Sequence, residues 1–535
     1  RHRMLANGWH FGTTKFMFML VLQAVLLLPT ASPTPMPRTS PLQLMIQTLH
    51  RFEPSIGPGT WTPHPSCIPP ATSMWHHWEL AQRAQHHLQQ EPHLEPGLRQ
   101  CLDIHQLFGP DLARLRSEIL DELEEMVLSR AETTMAWWQE LPPHVAQVYY
   151  DKEHRQISQI PVFLDLLHLA GMPDLATLAT DLQQGFNMLG EIHDGAGWLP
   201  RADQRYDFPI SMETFREHNK NYTIKKLQSG RVDDAWQVML TELLQELDKG
   251  RMDGPFIAPE WWPVQAISIP GRDAQQLPDG ATCFSFCFSV KQSDKTRRCE
   301  DFRRSGHNMT IKTGDTPHHH DVQTFAALAR AYPDHSELPH VWAQDLNGAY
   351  RQFPVRDPCE CLCVLQTPAG PLILRHFALS FGATASVWSF NRSADAMTFL
   401  ARRLLGIAIG HYVDDFIAIE PHNLAISSFA QFTRLSRLLG LRMKESKALE
   451  PSPKQKVLGV QEDEIILRPH PTRCAKVIIL INNALKHNRL TNDEAQRLAG
   501  KLVFLTSTLF GQLGRAALAP IYARAHGLSE CDKAF

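Results

Sequence analysis

The segment Ile407–Glu420 constrains this chain more than any other: two apolar, strand-like runs meet at a turn that carries adjacent carboxylates, Asp414 and Asp415. Two such groups on a tight turn between buried strands repel each other, and burial penalises each charge, so a divalent cation is their natural counter-ion. A bare Asp-Asp pair does not decide the matter, because the chain repeats the tripeptide at Val232-Asp233-Asp234. There Trp236, Met239, Leu240, Leu243 and Leu244 follow at helical spacing, and the two acids read as first-turn helix residues that complement the dipole. Context must separate the two copies.

That context is a third acid. In Val341–Val355, Asp345 closes a short apolar run and Asn347-Gly348 opens a turn, so its carboxylate can project from a strand end toward the Asp414 hairpin in a shared sheet. Three converging carboxylates suit a pair of divalent ions about 3.5 to 4 Å apart, one activating a hydroxyl and the other neutralising a leaving pyrophosphate. The reaction implied is nucleotidyl transfer.

These segments resemble motifs A and C of a reverse transcriptase, with Tyr412-Val413-Asp414-Asp415 standing as the Tyr-x-Asp-Asp box. Phe286–Arg303 resembles the fingers segment, Leu379–Phe390 motif B, and Gly440–Lys447 with Pro451–Val460 motifs D and E, all in family order over roughly residues 250 to 520. The Phe381-Gly382 form of motif B and the Pro-Ser to Leu-Gly spacing of motif E are similar to long-terminal-repeat or tyrosine-recombinase (DIRS-like) retroelements, as are Ala495–Phe504 and Gly514–Leu518. Val387 departs from the proline that many relatives carry in motif B.

The resemblance implies a role for each matched residue. Asp345, Asp414 and Asp415 would be the catalytic acids and metal ligands, Asp415 with the weaker claim on the metal. Tyr350 would be the steric gate against a 2′-hydroxyl. Arg297, with Lys291 and Lys295 nearby, would grip the triphosphate. Gly382 would let the backbone approach the nascent base pair. Lys447 is either the general acid that protonates pyrophosphate or a surface lysine.

With 535 residues, 43% hydrophobic and 20% charged, the chain can bury more than one core, and its net charge of -3 leaves phosphate binding to local basic stretches such as 291–304 and 486–515. His318-His319-His320 lacks partners at zinc spacing and reads as a polar loop. The ten cysteines show no disulfide framework. Cys359-Glu360-Cys361-Leu362-Cys363 alternates like a strand whose cysteines pack on one face, in the hairpin between motifs A and B. Phe16–Leu28 has the shape of a secretory signal but reads as spurious, since the chain opens with Arg1 and suggests a translated fragment.

The expected fold class is α+β, a right-hand polymerase with fingers, β-sheet palm and helical thumb, preceded by an α-helical N-terminal extension. Residues 1–75 read as the leader-like segment and a Pro/Ser/Thr-rich linker, 76–250 as the helical extension, 251–340 as fingers, 341–465 as palm, and 466–535 as thumb and connection, truncated before any ribonuclease H domain. The extension has three open readings: template contact, polyprotein remnant or packing platform. In it, Leu112, Leu115, Ile119, Leu123, Met126 and Val127 form one apolar stripe, and a second helical stretch at 162–189 is interrupted at Gly171-Met172-Pro173.

The function expected is RNA-directed DNA synthesis by a retrotransposon enzyme, with two Mg²⁺ (Mn²⁺ as a substitute), dNTPs and a primed RNA or DNA template. The expected location is intracellular, nucleus or cytoplasm, without a membrane, and with self-association or other retroelement proteins as further partners. The alternative is a catalytically inactive remnant that binds nucleic acid or acts as a scaffold.

Overall fold

Runs of consecutive apolar residues, buried on both faces, shape the sheet that carries the three acids. In the computed structural model, Ile409–Tyr412, Asp415–Glu420, His340–Asp345 and Leu449–Ser452 form a four-stranded antiparallel sheet in that order. Val341, Ala343, Ile417 and Ile419 share a core with Leu98, Leu102, Phe325 and Leu328. On the other side, Trp342 stacks on Phe432 and donates through Nε1 to Ser428 Oγ at 2.7 Å in the helix His422–Leu438. Both faces are covered, which is why the strands read as nearly continuous apolar runs.

The structure describes residues 39–52, 79, 94–201, 206–291, 296–332, 338–457, 460–463, 466–469, 471–506 and 518–526. Lys295, His335, the apolar run 16–28 and most of the linker to residue 75 lie outside them. The chain divides into two units at residue 44, and all that follows concerns the second. No helix among the described residues is long and apolar enough to cross a membrane.

A mixed five-stranded sheet runs Met252–Asp253, Gly370–His376, Leu362–Thr367, Phe284–Lys291, Thr296–Glu300. The hairpin between motifs A and B therefore pairs with strands from before residue 340, and a boundary at 340/341 does not divide the sheets. Cys359 lies in a 3-10 turn, Pro358–Glu360, and the strand begins only at Leu362, so the five-residue cysteine run is not one alternating strand. Pro358 and the Asp357 carboxylate, which accepts from Cys359 N at 2.8 Å, hold the turn.

The helices of the first half pack onto the four-stranded sheet through buried charges. Arg116 sits in the stripe of helix Asp111–Ser129 and binds the Glu420 carboxylate at 2.9 and 3.1 Å and the Leu405, Gly406 and Leu424 carbonyls. Arg392, in helix Thr384–Leu405, reaches Asp174 at 2.8 Å and also contacts Asp181, at either end of helix Leu175–Gln184.

Val232-Asp233-Asp234 precedes its helix, Trp236–Asp248, instead of forming the first turn. The Asp233 carboxylate is taken by Ser289, whose amide and hydroxyl donate at 3.0 and 2.7 Å, and by Ala235 N at 2.9 Å. Its use is to fasten the helix start to the neighbouring strand.

Past the sheet, the strands Lys454–Val457, Val460–Asp463 and Ile466–Pro469 form a separate antiparallel sheet. The helices Pro471–His487 and Asn492–Thr506 follow and close a small core around Val477, Ala484, Leu490, Ala495 and Leu498.

Candidate active site

Register builds the acid cluster. Asp415 pairs directly with Asp345 across antiparallel strands, which puts both side chains on one face. Tyr412 pairs with Asp415, leaving Val413 and Asp414 as a two-residue turn with Val413 at φ 55°. A β-branched residue in the left-handed region is strained, on the order of 1–3 kcal/mol, and persists only where its surroundings insist on it. Here they do: His411 Nδ1 lies 3.2 Å from the Val413 carbonyl, while its Nε2 meets Asp395 Oδ1 at 2.8 Å. Trp198 Nε1 donates to the other Asp395 oxygen at 2.8 Å. Sequence reading missed His411 and Asp395; a histidine immediately before the acidic box was the available signal.

The cluster is electrostatically unsettled. Burial, then the charges of Asp345 and Asp415, lift Asp414 to about 6. Burial and Asp345 raise Asp415 as well, against the pull of Lys447. Asp345 is 4% exposed, and its Oδ1 accepts no hydrogen bond among the described residues. Its Oδ2 is contacted by Lys447 Nζ. Burial draws the Lys447 ammonium down, but the hydrogen bond and charge of Asp345 outweigh it and hold the group above its ordinary range. The structure thus brings Asp345, Asp414, Asp415 and Lys447 together, and Lys447 is more than a solvated lysine.

Tyr350 joins this group from the 3-10 turn Ala349–Gln352. Its ring packs between Phe381 and Phe390, centroids 5.2 and 5.0 Å away, and burial followed by the charge of Asp414 raises its hydroxyl. Two neighbours hold the turn, and both were missed from sequence. Gln352 donates to the Asn347 and Arg442 carbonyls at 3.0 and 2.9 Å and accepts from Arg442 N, tying the loop after Asp345 to the one that bears Lys447. Arg351, 3% exposed, binds Glu246 at 2.7 Å and the Ala378 and Leu379 carbonyls.

The remaining residues singled out lie elsewhere. Arg297 and Lys291 are exposed on the outer hairpin of the five-stranded sheet, with none of the contacts described above to the acids. Lys291 lines a cleft of roughly 910 Å³ together with Lys226, Arg231, Arg303, Arg304 and Gly382. Gly382 has a reason of its own within the fold: at φ 106°, a Cβ there would stand 2.3 Å from the Glu300 carbonyl oxygen. His318 and His320 gather with Glu95, but Arg402 contacts the Glu95 carboxylate and lies 2.9 Å from His320 Nε2. There Arg402 meets two of the three candidate ligands at once, in the place a cation would take.

No family model matches this chain, and no curated protein matches it. Among solved structures it is similar to a foamy viral protease-reverse transcriptase in complex with double-stranded DNA, at 12% identity, with a TM-score of 0.36. The match covers 63% of this chain and 59% of that one. A likeness this distant carries no argument about activity. The fold class stated plainly is mixed α/β with several sheets.

Proposed function

We propose that this chain is a reverse transcriptase of a retroelement, an RNA-directed DNA polymerase that extends a primer with dNTPs. The observation that carries the reading is the cluster Asp345, Asp414 and Asp415: three carboxylates on one sheet edge, crowded enough to raise two of them, with one buried oxygen of Asp345 accepting no hydrogen bond among the described residues. Such a donor set of hard oxygens fits Mg²⁺ or Mn²⁺. Asp345 and Asp414 would hold the ions and Asp415 would support them; when bound, a metal pair activates a hydroxyl and neutralises a leaving pyrophosphate.

In this reading the four-stranded sheet is the palm, the five-stranded sheet belongs to the fingers, and the helices after residue 470 form a thumb. Tyr350, wedged between two phenylalanines, presents a rigid ring beside the acids and excludes a ribose 2′-hydroxyl. Lys447, its ammonium in contact with Asp345, would serve as proton donor to the leaving pyrophosphate. Lys291 and Arg297 meet the triphosphate only if the outer hairpin moves toward the acids. Template and primer contacts run along phosphates, so synthesis should tolerate any sequence and fall with salt.

Primer extension on RNA and DNA templates with Mg²⁺, comparing the parent with Asp414→Asn, tests the reading. Loss of at least about a hundredfold in the variant is expected, the scale of removing a group that stabilises the transition state. Equal activity in both defeats the role given to the acids; none in either defeats the polymerase reading, and the inactive nucleic-acid-binding remnant then stands.

A further inference from the structure

A second cluster lies in the five-stranded sheet, apart from the three acids. Cys287 is directly opposite Glu300 across one strand pair, and Cys363 is opposite Ser285 across the next, so all three side chains emerge on one face. The two Sγ atoms and a Glu300 oxygen lie within 4.8 Å of one another. We propose that Cys287, Cys363 and Glu300 hold a thiophilic divalent cation, zinc before any other.

Geometry is the first argument. Tetrahedral zinc with Zn–S near 2.3 Å and Zn–O near 2.0–2.2 Å has donor–donor edges of about 3.5–3.8 Å, which the observed spacing meets with small side-chain rotations. The second is the burial of the donors: Glu300 is 2% and Cys363 0% exposed, with Arg298 in ion-pair contact with the carboxylate and His376 Nε2 3.2 Å from it, so the ligand atoms are held in place by packing and by charge. The third is location: Cys287 and Glu300 belong to the wall of the cleft of roughly 910 Å³, which sets the cluster beside a route from solvent.

The surrounding charges suit the site. Two thiolates and a carboxylate around a dication leave one negative charge, and Arg298, already touching Glu300, offsets it. His376 remains an outer partner and not a ligand. Arg351 Nη1 donates to its Nδ1 at 3.1 Å, which leaves the ring proton on Nε2, turned toward Glu300.

The test is metal analysis of the full chain, purified, exposed to zinc and dialysed, beside Cys363→Ser and Glu300→Gln, with circular dichroism to verify folding. Stoichiometric zinc in the parent, lost from Cys363→Ser and reduced in Glu300→Gln, is expected. Substitution by Co²⁺ should give thiolate-to-cobalt charge-transfer absorption that disappears with Cys363. If Cys363→Ser does not fold, alkylation of the parent decides: zinc should slow modification of Cys287 and Cys363 at least about tenfold, since the metal-bound thiolate is withheld from reaction. Sub-stoichiometric zinc, equal zinc in all three chains, or alkylation indifferent to zinc overturns the proposal. Asp414→Asn should keep its zinc, so this result and that of primer extension are independent.

Discussion

The strand Asp415–Glu420 has a carboxylate at each end, and the two live under opposite rules. Glu420 is buried completely, yet Arg116, the Ala408 amide at 2.9 Å and His105 at 3.3 Å saturate it. Burial alone would raise its pKa; Arg116 and then His105 outweigh that and bring it down to about 2. Asp415, at the other end of the same strand, sits beside two other acids and is raised. Burial is common to both ends, and what differs is whether the fold supplies the counter-charge. At Glu420 a buried guanidinium does so and the acid is a fastening; at Asp415 the nearest charge is another acid, Asp345, and on the proposed reading a cation would complete the group.

The sharpest way to break this comparison is to strip Glu420 of its partner. Arg116→Met should cost about 3–5 kcal/mol in urea unfolding, because it leaves a buried charge uncompensated. The double variant Arg116→Met, Glu420→Met should recover most of that loss. A loss below about 1 kcal/mol in the single variant would show that the pair is not a fastening. The pair also sets an acid limit. With a native pKa near 2 and an ordinary value of 4.5, Glu420 contributes stability above pH 4.5 that is lost as pH falls toward 2. Glu420→Gln should flatten that limb of the stability–pH curve.

At the other end the sign reverses. Asp414→Asn removes a charge that the fold disfavours, and in metal-free buffer near pH 7 it should raise unfolding stability by about 1–3 kcal/mol, at 1.36 kcal/mol per pKa unit. Destabilisation would mean that the acids are stabilised by contacts within the fold. Smaller effects belong to the turn. His411→Phe, which deletes the contacts to Val413 and Asp395, should lose about 1–2 kcal/mol, and Val413→Gly should change stability by no more than about 1 kcal/mol. A larger loss in the second would mean that Val413 is held by packing and is not strained.

How far all this was readable in advance follows from the same contrast. The short apolar runs within 341–345 and 415–420 announce strands, and Asn347-Gly348 marks a strand end, so the approach of Asp345 to Asp414 and Asp415 was visible as pattern. Arg116 and Arg392 were not, because a charged residue inside an apolar stripe is invisible to periodicity until its partner on a distant element is known. Asp233 was misplaced for a related reason: its local sequence describes a helix start, but Ser289, fifty-six residues on, claims the carboxylate. The spacing of Cys359, Cys361 and Cys363 suggested one strand, and Pro358 moved the first of them into a turn. Cys287, Cys363 and Glu300 are too far apart in the chain for any spacing rule to join them.

The closeness of Gly382 to Glu300 has a mechanical consequence. Glu300 N also donates to the Phe381 carbonyl at 3.2 Å, and Asn308 brackets the same corner by donating to the Gly382 carbonyl and accepting from Thr384 N. The outer hairpin and the residue whose ring supports Tyr350 are thereby riveted at one joint. Any swing of that hairpin must be felt at the Tyr350 ring, as a door handle feels the latch.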